Sequence, residues 1–203
     1  MAMVLSDDIK ILAEDYLENK SNFDSLNRKN LERLSSIQFS KGHYYYLYPL
    51  QNELGGFSKG RLLKSEPSKF KNVYEYGFDE GGKLISIIEH VTDSISNKSF
   101  VERHDNEERV YTYVGGMCKL RNVLHIFHRD DHIVTEVLNW GEYGWYKDVF
   151  NYDDDGRLTK IEKIACEHDK TTPTVSTICF SYDGENLSSI IQHFSIGYEQ
   201  KLF

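Results

Sequence analysis

The hydrophobic pattern divides the chain into a short helical N-terminus and a long β region. Ser6 is followed by two aspartates and then by apolar residues three to four positions apart, which predicts a helix from about Asp7 to Glu18. Leucines at similar spacing predict a second helix from about Asp24 to Ser35. We therefore assign residues 1–40 to an N-terminal helical segment.

Beyond residue 40, short aromatic or β-branched runs are separated by Gly, Asp and Asn, a pattern typical of strands and turns. Three segments repeat one another: two aromatic residues, an Asp, a glycine-containing turn and then Leu-x-x-Ile. They are Tyr74 to Ile87, Phe150 to Ile161 and Phe180 to Ile190. Each predicts a tight hairpin in which the Asp side chain hydrogen-bonds the turn backbone.

Weaker copies and single strands extend the β region. The segment from Tyr111 to Leu120 lacks the Asp, and Tyr44 to Tyr48 is expected to begin a more degenerate hairpin. Further strands are predicted at Phe100 to His104, Val123 to His128, His132 to Leu138 and Thr174 to Phe180. The predicted fold is mainly β, a large antiparallel β-hairpin meander over residues 41–203 that forms a curled sheet or an open barrel.

The repeated units resemble the YD repeats of the RHS and teneurin family, whose usual form is Tyr-x-Tyr-Asp-x-x-Gly-Arg-Leu. Gly156, Arg157 and Leu158 match that form, Gly82 to Leu84 is close to it, and Asn186 departs from it. RHS proteins build a large shell from many such units, and 203 residues are too few for one, so the resemblance implies a shared hairpin geometry. Small β proteins with similar repeats occur among bacterial immunity proteins that neutralise polymorphic toxins, which makes that class an expectation here.

Composition limits the partners that we expect. The 14 Tyr and 11 Phe are typical of sheets, and the net charge of -8 disfavours nucleic acids and anionic membranes, which need clustered basic residues. A basic protein partner fits this charge. The three cysteines suggest neither a disulfide framework nor a zinc site. The N-terminus has no signal-like apolar run, so a cytoplasmic location is expected.

Two clusters could suggest a metal. His125, His128 and His132 lie near Asp130 and Asp131, but side chains alternate along a strand, so His125 and His128 should face opposite ways. The three aspartates at 153, 154 and 155 are typical of a solvated hairpin turn and lack the downstream ligand of a calcium loop. We therefore expect no metal and no cofactor. No local catalytic motif occurs, although a site assembled from distant strands remains an alternative.

The segment from Asn139 to Lys147 is the strongest candidate for binding, because it concentrates both tryptophans, two tyrosines and two glycines around one bend. The tryptophans could equally close the sheet core. The predicted partner-binding residues are Trp140, Glu142, Tyr143, Trp145, Tyr146, Asp153, Asp154 and Asp155. The function expected is that of a protein-binding module, an immunity protein that binds a basic toxin; the alternatives are a structural or carbohydrate-binding repeat module and an enzyme.

Overall fold

A computed structural model describes residues 5–92, 94–129 and 133–203 and confirms a mainly β fold with a short helical N-terminus. The helices are α1 (Asp7–Asn19), α2 (Phe23–Arg33) and a short α3 (Gln51–Leu54). The strands are β1 (Ser36–Lys41), β2 (Arg61–Leu62), β3 (Val73–Phe78), β4 (Leu84–His90), β5 (Ser96–His104), β6 (Glu107–Val114), β7 (Lys119–His128), β8 (Val134–Gly141), β9 (Gly144–Tyr152), β10 (Leu158–Glu167), β11 (Thr174–Asp183), β12 (Asn186–Phe194) and β13 (Glu199–Lys201).

All of these strands belong to one open antiparallel sheet. From β3 to β13 each strand pairs with the next strand in sequence, so the predicted meander is confirmed. The order changes only at the start, where β1 lies between β3 and β2. The edges of the sheet are therefore β13 and β2, two of its shortest strands.

The repeated units form hairpins, as predicted. Asp79 Oδ1 accepts a hydrogen bond from Lys83 N at 2.9 Å, and Asp153 Oδ1 accepts one from Arg157 N at 2.8 Å. The third unit joins β11 and β12 through a tighter turn, in which Gly184 has a φ of 60°. The degenerate unit from Tyr111 also forms a hairpin, β6 to β7. Local turn chemistry thus specifies these connections.

Two predictions at the N-terminal end differ from the structure. The sheet begins at Ser36, because β1 follows α2 after only two residues. The prediction that Tyr44 to Tyr48 begins a hairpin is wrong: this stretch is irregular and lies against one face of the sheet. Its tyrosines find aromatic partners on other strands, as when Tyr45 lies 4.9 Å from Tyr76 between ring centroids.

The sheet curls around this irregular stretch. In a flat sheet β3 and β9 would be about 29 Å apart, since neighbouring strands are about 4.8 Å apart. Yet Tyr44 N donates to the Tyr76 hydroxyl on β3 at 2.8 Å, while the Tyr48 ring lies 6.2 Å from Phe150 on β9. We call the face that encloses residues 43–54 the concave face. Apolar side chains from β5 to β12 form its core, among them Ile126, Phe150 and Ile161.

Helices α1 and α2 pack on the opposite, convex face. Ile9, Leu12 and Tyr16 of α1 are buried against an apolar cluster that includes Tyr111 and Leu138. The predicted helical spacing of the α1 residues is thus confirmed, and α2 spans the predicted region to within two residues at each end. Among the helices of the described ranges, none has the length and apolar character that a membrane span requires.

Candidate functional site

The hairpin that carries most of the predicted site joins β8 and β9 through Glu142 and Tyr143. Trp140 and Trp145 are direct cross-strand partners and face the convex side, where they join the apolar cluster beneath α1. The ring centroid of Trp140 also lies 4.7 Å from that of His168. Both tryptophans therefore belong to the apolar packing between α1 and the convex face.

Other residues of this hairpin lie elsewhere. Tyr143 is 81% exposed at the tip, and the neighbouring Glu142 is exposed and pairs with Lys119. Tyr146 faces the concave side, with Lys163 Nζ 3.9 Å from its ring centroid. Its neighbour Tyr48 is half-buried, and burial raises the pKa of the Tyr48 hydroxyl to about 12, with the nearby Asp148 adding to the shift.

The three aspartates lie at the opposite end of β9. Asp153, Asp154 and Asp155 are exposed in the β9–β10 turn, and Asp153 Oδ1 also accepts a hydrogen bond from Asp155 N at 3.1 Å. Because β9 runs from Gly144 to Tyr152, the turn is about 30 Å from Tyr143. The predicted residues thus occupy two ends of the sheet and both of its faces.

His125, considered above as a metal ligand, takes part in a buried ionic cluster on the convex face. Its Nε2 lies 2.6 Å from Asp15 Oδ2 and its Nδ1 lies 2.9 Å from Glu107 Oε1. Arg109 in turn binds both oxygens of Glu107. This cluster joins α1 to the sheet. Within the described ranges no group of three or more His, Cys, Asp or Glu side chains has metal-binding geometry, and Asp130, Asp131 and His132 lie outside those ranges.

A cavity of about 750 Å³ lies between the concave face and residues 42–58. Cavities of roughly 300–1,000 Å³ are typical of small-molecule sites. Its lining combines the polar side chains of β4 to β9 with aromatic rings from both sides. The polar lining side chains include Gln51, Asn52, Asn97, Ser99, Thr112, Asn122 and Asn139.

The floor of the cavity is a row of short polar side chains across neighbouring strands. Ser99 Oγ lies 2.9 Å from Thr112 Oγ1, which belongs to its cross-strand partner. Thr112 is in turn opposite Asn122, whose Nδ2 donates to Asn139 Oδ1 at 3.0 Å. The row interrupts a face that is otherwise apolar, because Leu124 and Ile126 follow Asn122 on the same side of β7.

One wall of the cavity holds its titratable groups. Glu89 accepts hydrogen bonds from the Tyr74 hydroxyl and from Asn97 Nδ2, both at 2.9 Å. Burial, together with the charge of Glu89, raises the pKa of Tyr74, so its hydroxyl is a donor at neutral pH. His43 lies beside this wall, with its ring centroid 5.2 Å from that of Tyr74. Its Nδ1 lies 2.6 Å from Asn52 Oδ1, and burial lowers the pKa of His43. Both carboxylate oxygens of Glu89 are therefore already hydrogen-bonded, one to Tyr74 and one to Asn97.

A second depression, of about 650 Å³, opens beside this cavity at the end of the sheet. Val91, Ile95 and Tyr143 line it and are 40%, 51% and 81% exposed. They come from two hairpin tips, β4–β5 and β8–β9, that the curl brings together. We call this depression the rim recess. It shares Asn97, Asn122 and Asn139 with the larger cavity, so the two are continuous.

The two ends of the sheet differ in the apolar side chains that their described turns expose. The turns at the rim-recess end also carry exposed Met117, Ile196 and Tyr198. The described turns at the other end carry polar and acidic side chains, among them Asp79, Asp105 and the three aspartates from 153 to 155. In a meander every second turn lies at the same end of the sheet, so the turns form two groups, one at each end.

The cavity was not predicted from the sequence, although a signal for it exists. Asn122 and Asn139 stand at positions whose neighbours two residues away, Leu124 and Val137, face the core. A polar residue at a core-facing position of a strand indicates a buried polar site. Which strands would bring these amides together could be known only from the sheet order.

Comparison with known proteins identifies no relative. No protein-family model, no curated protein and no solved structure matches the chain.

Proposed function

We propose that this chain is a protein-binding module whose partner docks on the rim recess. The observation that carries the proposal is the group of exposed apolar side chains, Val91, Ile95 and Tyr143, that line one depression. Single exposed apolar residues are common on soluble proteins, but a shared depression lined by several is typical of an interaction site. Tyrosine is also among the residues that contribute most to binding energy in interfaces.

The rim recess is built on a firm support. The β8–β9 hairpin packs closely on β10 at Gly144. The approach is so close that a Cβ atom there would collide with the carbonyl oxygen of Cys166. His168 N donates to Tyr143 O at 3.0 Å, so the tip is also hydrogen-bonded to the β10–β11 turn. A site held by neighbouring hairpins loses little conformational entropy when a partner binds.

The charge of the protein favours a basic partner. The net charge of -8 attracts a basic protein over long distances and speeds encounter, while apolar contacts slow dissociation. The aspartates from 153 to 155 add to this negative charge but lie at the other end of the sheet, about 30 Å from Tyr143. The proposed class is that of immunity proteins, which bind and neutralise a toxin; its support is the resemblance of the repeats together with this surface.

Affinity capture from the source organism tests the proposal. The bait proteins are the unchanged chain, Tyr143→Ser and Ile11→Ser. Ile11 is 57% exposed on α1 and serves as the matched control, because its substitution removes an exposed apolar side chain from another face. We expect one basic protein at a stoichiometric level with the unchanged chain and with Ile11→Ser, and much less with Tyr143→Ser.

Co-expression then tests the class. The captured protein should be toxic when expressed alone and harmless when expressed with this chain. Retention of the partner by Tyr143→Ser would show that the rim recess is not the contact surface. A partner whose expression is harmless would refute the immunity class while leaving the docking surface intact.

A further inference from the structure

We propose that the concave cavity binds a neutral, hydroxyl-rich ligand, a saccharide of one or two rings. This site is distinct from the protein contact at the rim recess, although the two depressions are continuous. The argument rests on the charge of the lining, on unpaired amide atoms and on an exposed aromatic ring at the edge of the cavity.

The lining favours an uncharged ligand. Among the described lining residues there is no Lys, Arg or Asp, and the carboxylate of Glu89 is bound by Tyr74 and Asn97. Phosphates and carboxylates need cationic partners or clusters of backbone N–H groups, so an anionic ligand does not fit. A cationic ligand would have to compete with Tyr74 and Asn97 for Glu89.

The amides offer the hydrogen bonds that a hydroxyl group needs. Asn97 is only 9% exposed; its Nδ2 is bound to Glu89, and its Oδ1 has no partner within the described part of the chain. In the same part of the chain, Asn122 Oδ1 and Asn139 Nδ2 also have none, since the single bond between these amides uses their other atoms. A hydroxyl group donates one hydrogen bond and accepts others, so adjacent hydroxyls match this mixture of donors and acceptors.

A saccharide also needs an apolar surface for the C–H face of its ring. Phe57 lines the cavity and is 69% exposed, which is unusual for a phenylalanine next to an enclosed polar space. It follows α3, and its N–H donates to Asn52 O at 2.8 Å, so the backbone is fixed while the ring stays open. The rings of Tyr48, Tyr74 and Tyr146 line the interior.

Saturation-transfer NMR on the full chain tests this inference. The probes are glucose, galactose, N-acetylglucosamine, maltose and cellobiose at about 10 mM, a concentration that detects millimolar affinity. We expect saturation of the ring protons of at least one sugar. For that sugar, Asn139→Leu should weaken binding by about tenfold, because the hydrogen bond that Asn139 Nδ2 donates to a hydroxyl is lost.

Two further variants keep the result interpretable. Phe57→Ala changes an exposed side chain, so it should leave the fold intact and weaken sugar binding by about fivefold. Asn186→Leu changes an exposed amide at the start of β12 and should leave sugar binding unchanged. The inference is overturned if none of the sugars shows saturation, or if Asn139→Leu and Phe57→Ala bind as well as the unchanged chain. Tyr143→Ser should still bind the sugar, which separates this outcome from that of the protein contact.

Discussion

Asp15 is the residue whose removal should most clearly weaken the attachment of α1 to the sheet. Its carboxylate is about 90% buried and receives four contacts from three different places. Asn19 Nδ2 donates to Oδ1 at 2.7 Å, the Tyr111 hydroxyl lies 3.2 and 3.3 Å from the two oxygens, and His125 Nε2 lies 2.6 Å from Oδ2. Both ring nitrogens of His125 face carboxylates, since Nε2 lies beside Asp15 and Nδ1 lies beside Glu107.

The expected loss in Asp15→Ala follows from this geometry. Removing one partner of a buried ion pair costs about 3–5 kcal/mol, because the other charge stays buried with less compensation. Here Glu107 remains on the far side of His125, at 2.9 Å from Nδ1. We therefore expect the lower end of that range, about 3 kcal/mol, as the fall in the free energy of unfolding.

Urea denaturation followed by circular dichroism measures this loss. The matched control is Glu14→Ala, which removes an exposed carboxylate from the same turn of α1 and should change the free energy of unfolding by less than about 0.5 kcal/mol. If Asp15→Ala were within about 1 kcal/mol of the unchanged chain, the cluster would not hold the helix as argued.

The same residue gives a pH dependence. Burial alone would raise the pKa of Asp15, but the hydrogen bond and charge of His125, with Arg109 and Tyr111, hold that pKa below its usual value. The folded state therefore binds fewer protons than the unfolded state, whose Asp pKa is about 3.9. The stabilisation is complete above that pKa and is lost as the pH falls through the folded value. The difference between the unchanged chain and Asp15→Asn should shrink accordingly in acid.

Two further predictions concern the hairpins. Gly144→Ala should lower the free energy of unfolding by about 1–3 kcal/mol, because the new Cβ would collide with the Cys166 carbonyl. Urea denaturation measures this change, and an unchanged midpoint would contradict the close approach of β9 and β10. Asp153→Ala should lower the free energy of unfolding by about 1 kcal/mol in the same assay, since Asp153 accepts two backbone hydrogen bonds. The control variant Asp154→Ala should leave it unchanged. Equal effects of the two variants would show that the turn does not depend on Asp153.

The hairpins could be predicted because their determinants are local. In the units around Asp79 and Asp153, the turn, the capping aspartate and the flanking aromatic residues lie within a dozen positions. The meander follows from joining such hairpins in order. Helix α1 was equally accessible, since Ile9, Leu12 and Tyr16 display helical spacing without reference to the rest of the chain.

Features that depend on distant residues were not accessible in this way. The tyrosines from Tyr44 to Tyr48 have strong strand propensity, but their packing partners, Tyr76 and Phe150, lie far away in sequence. The position of β1 between β3 and β2 likewise has no local signal. The cavity combines both problems, because its amides come from three strands and its cover is the irregular stretch.

The meander also determines how the protein should respond to force. From β4 onward each strand is hydrogen-bonded only to the strands that precede and follow it in sequence. Tension on the C-terminus therefore reaches one strand pair at a time and should unzip the sheet in small steps. Tension on the N-terminus meets α1 first, and α1 is packed across β7 and β8 in the middle of the sheet. The two ends of one chain should therefore yield at different loads, with a peeling response from one side and a single larger rupture from the other.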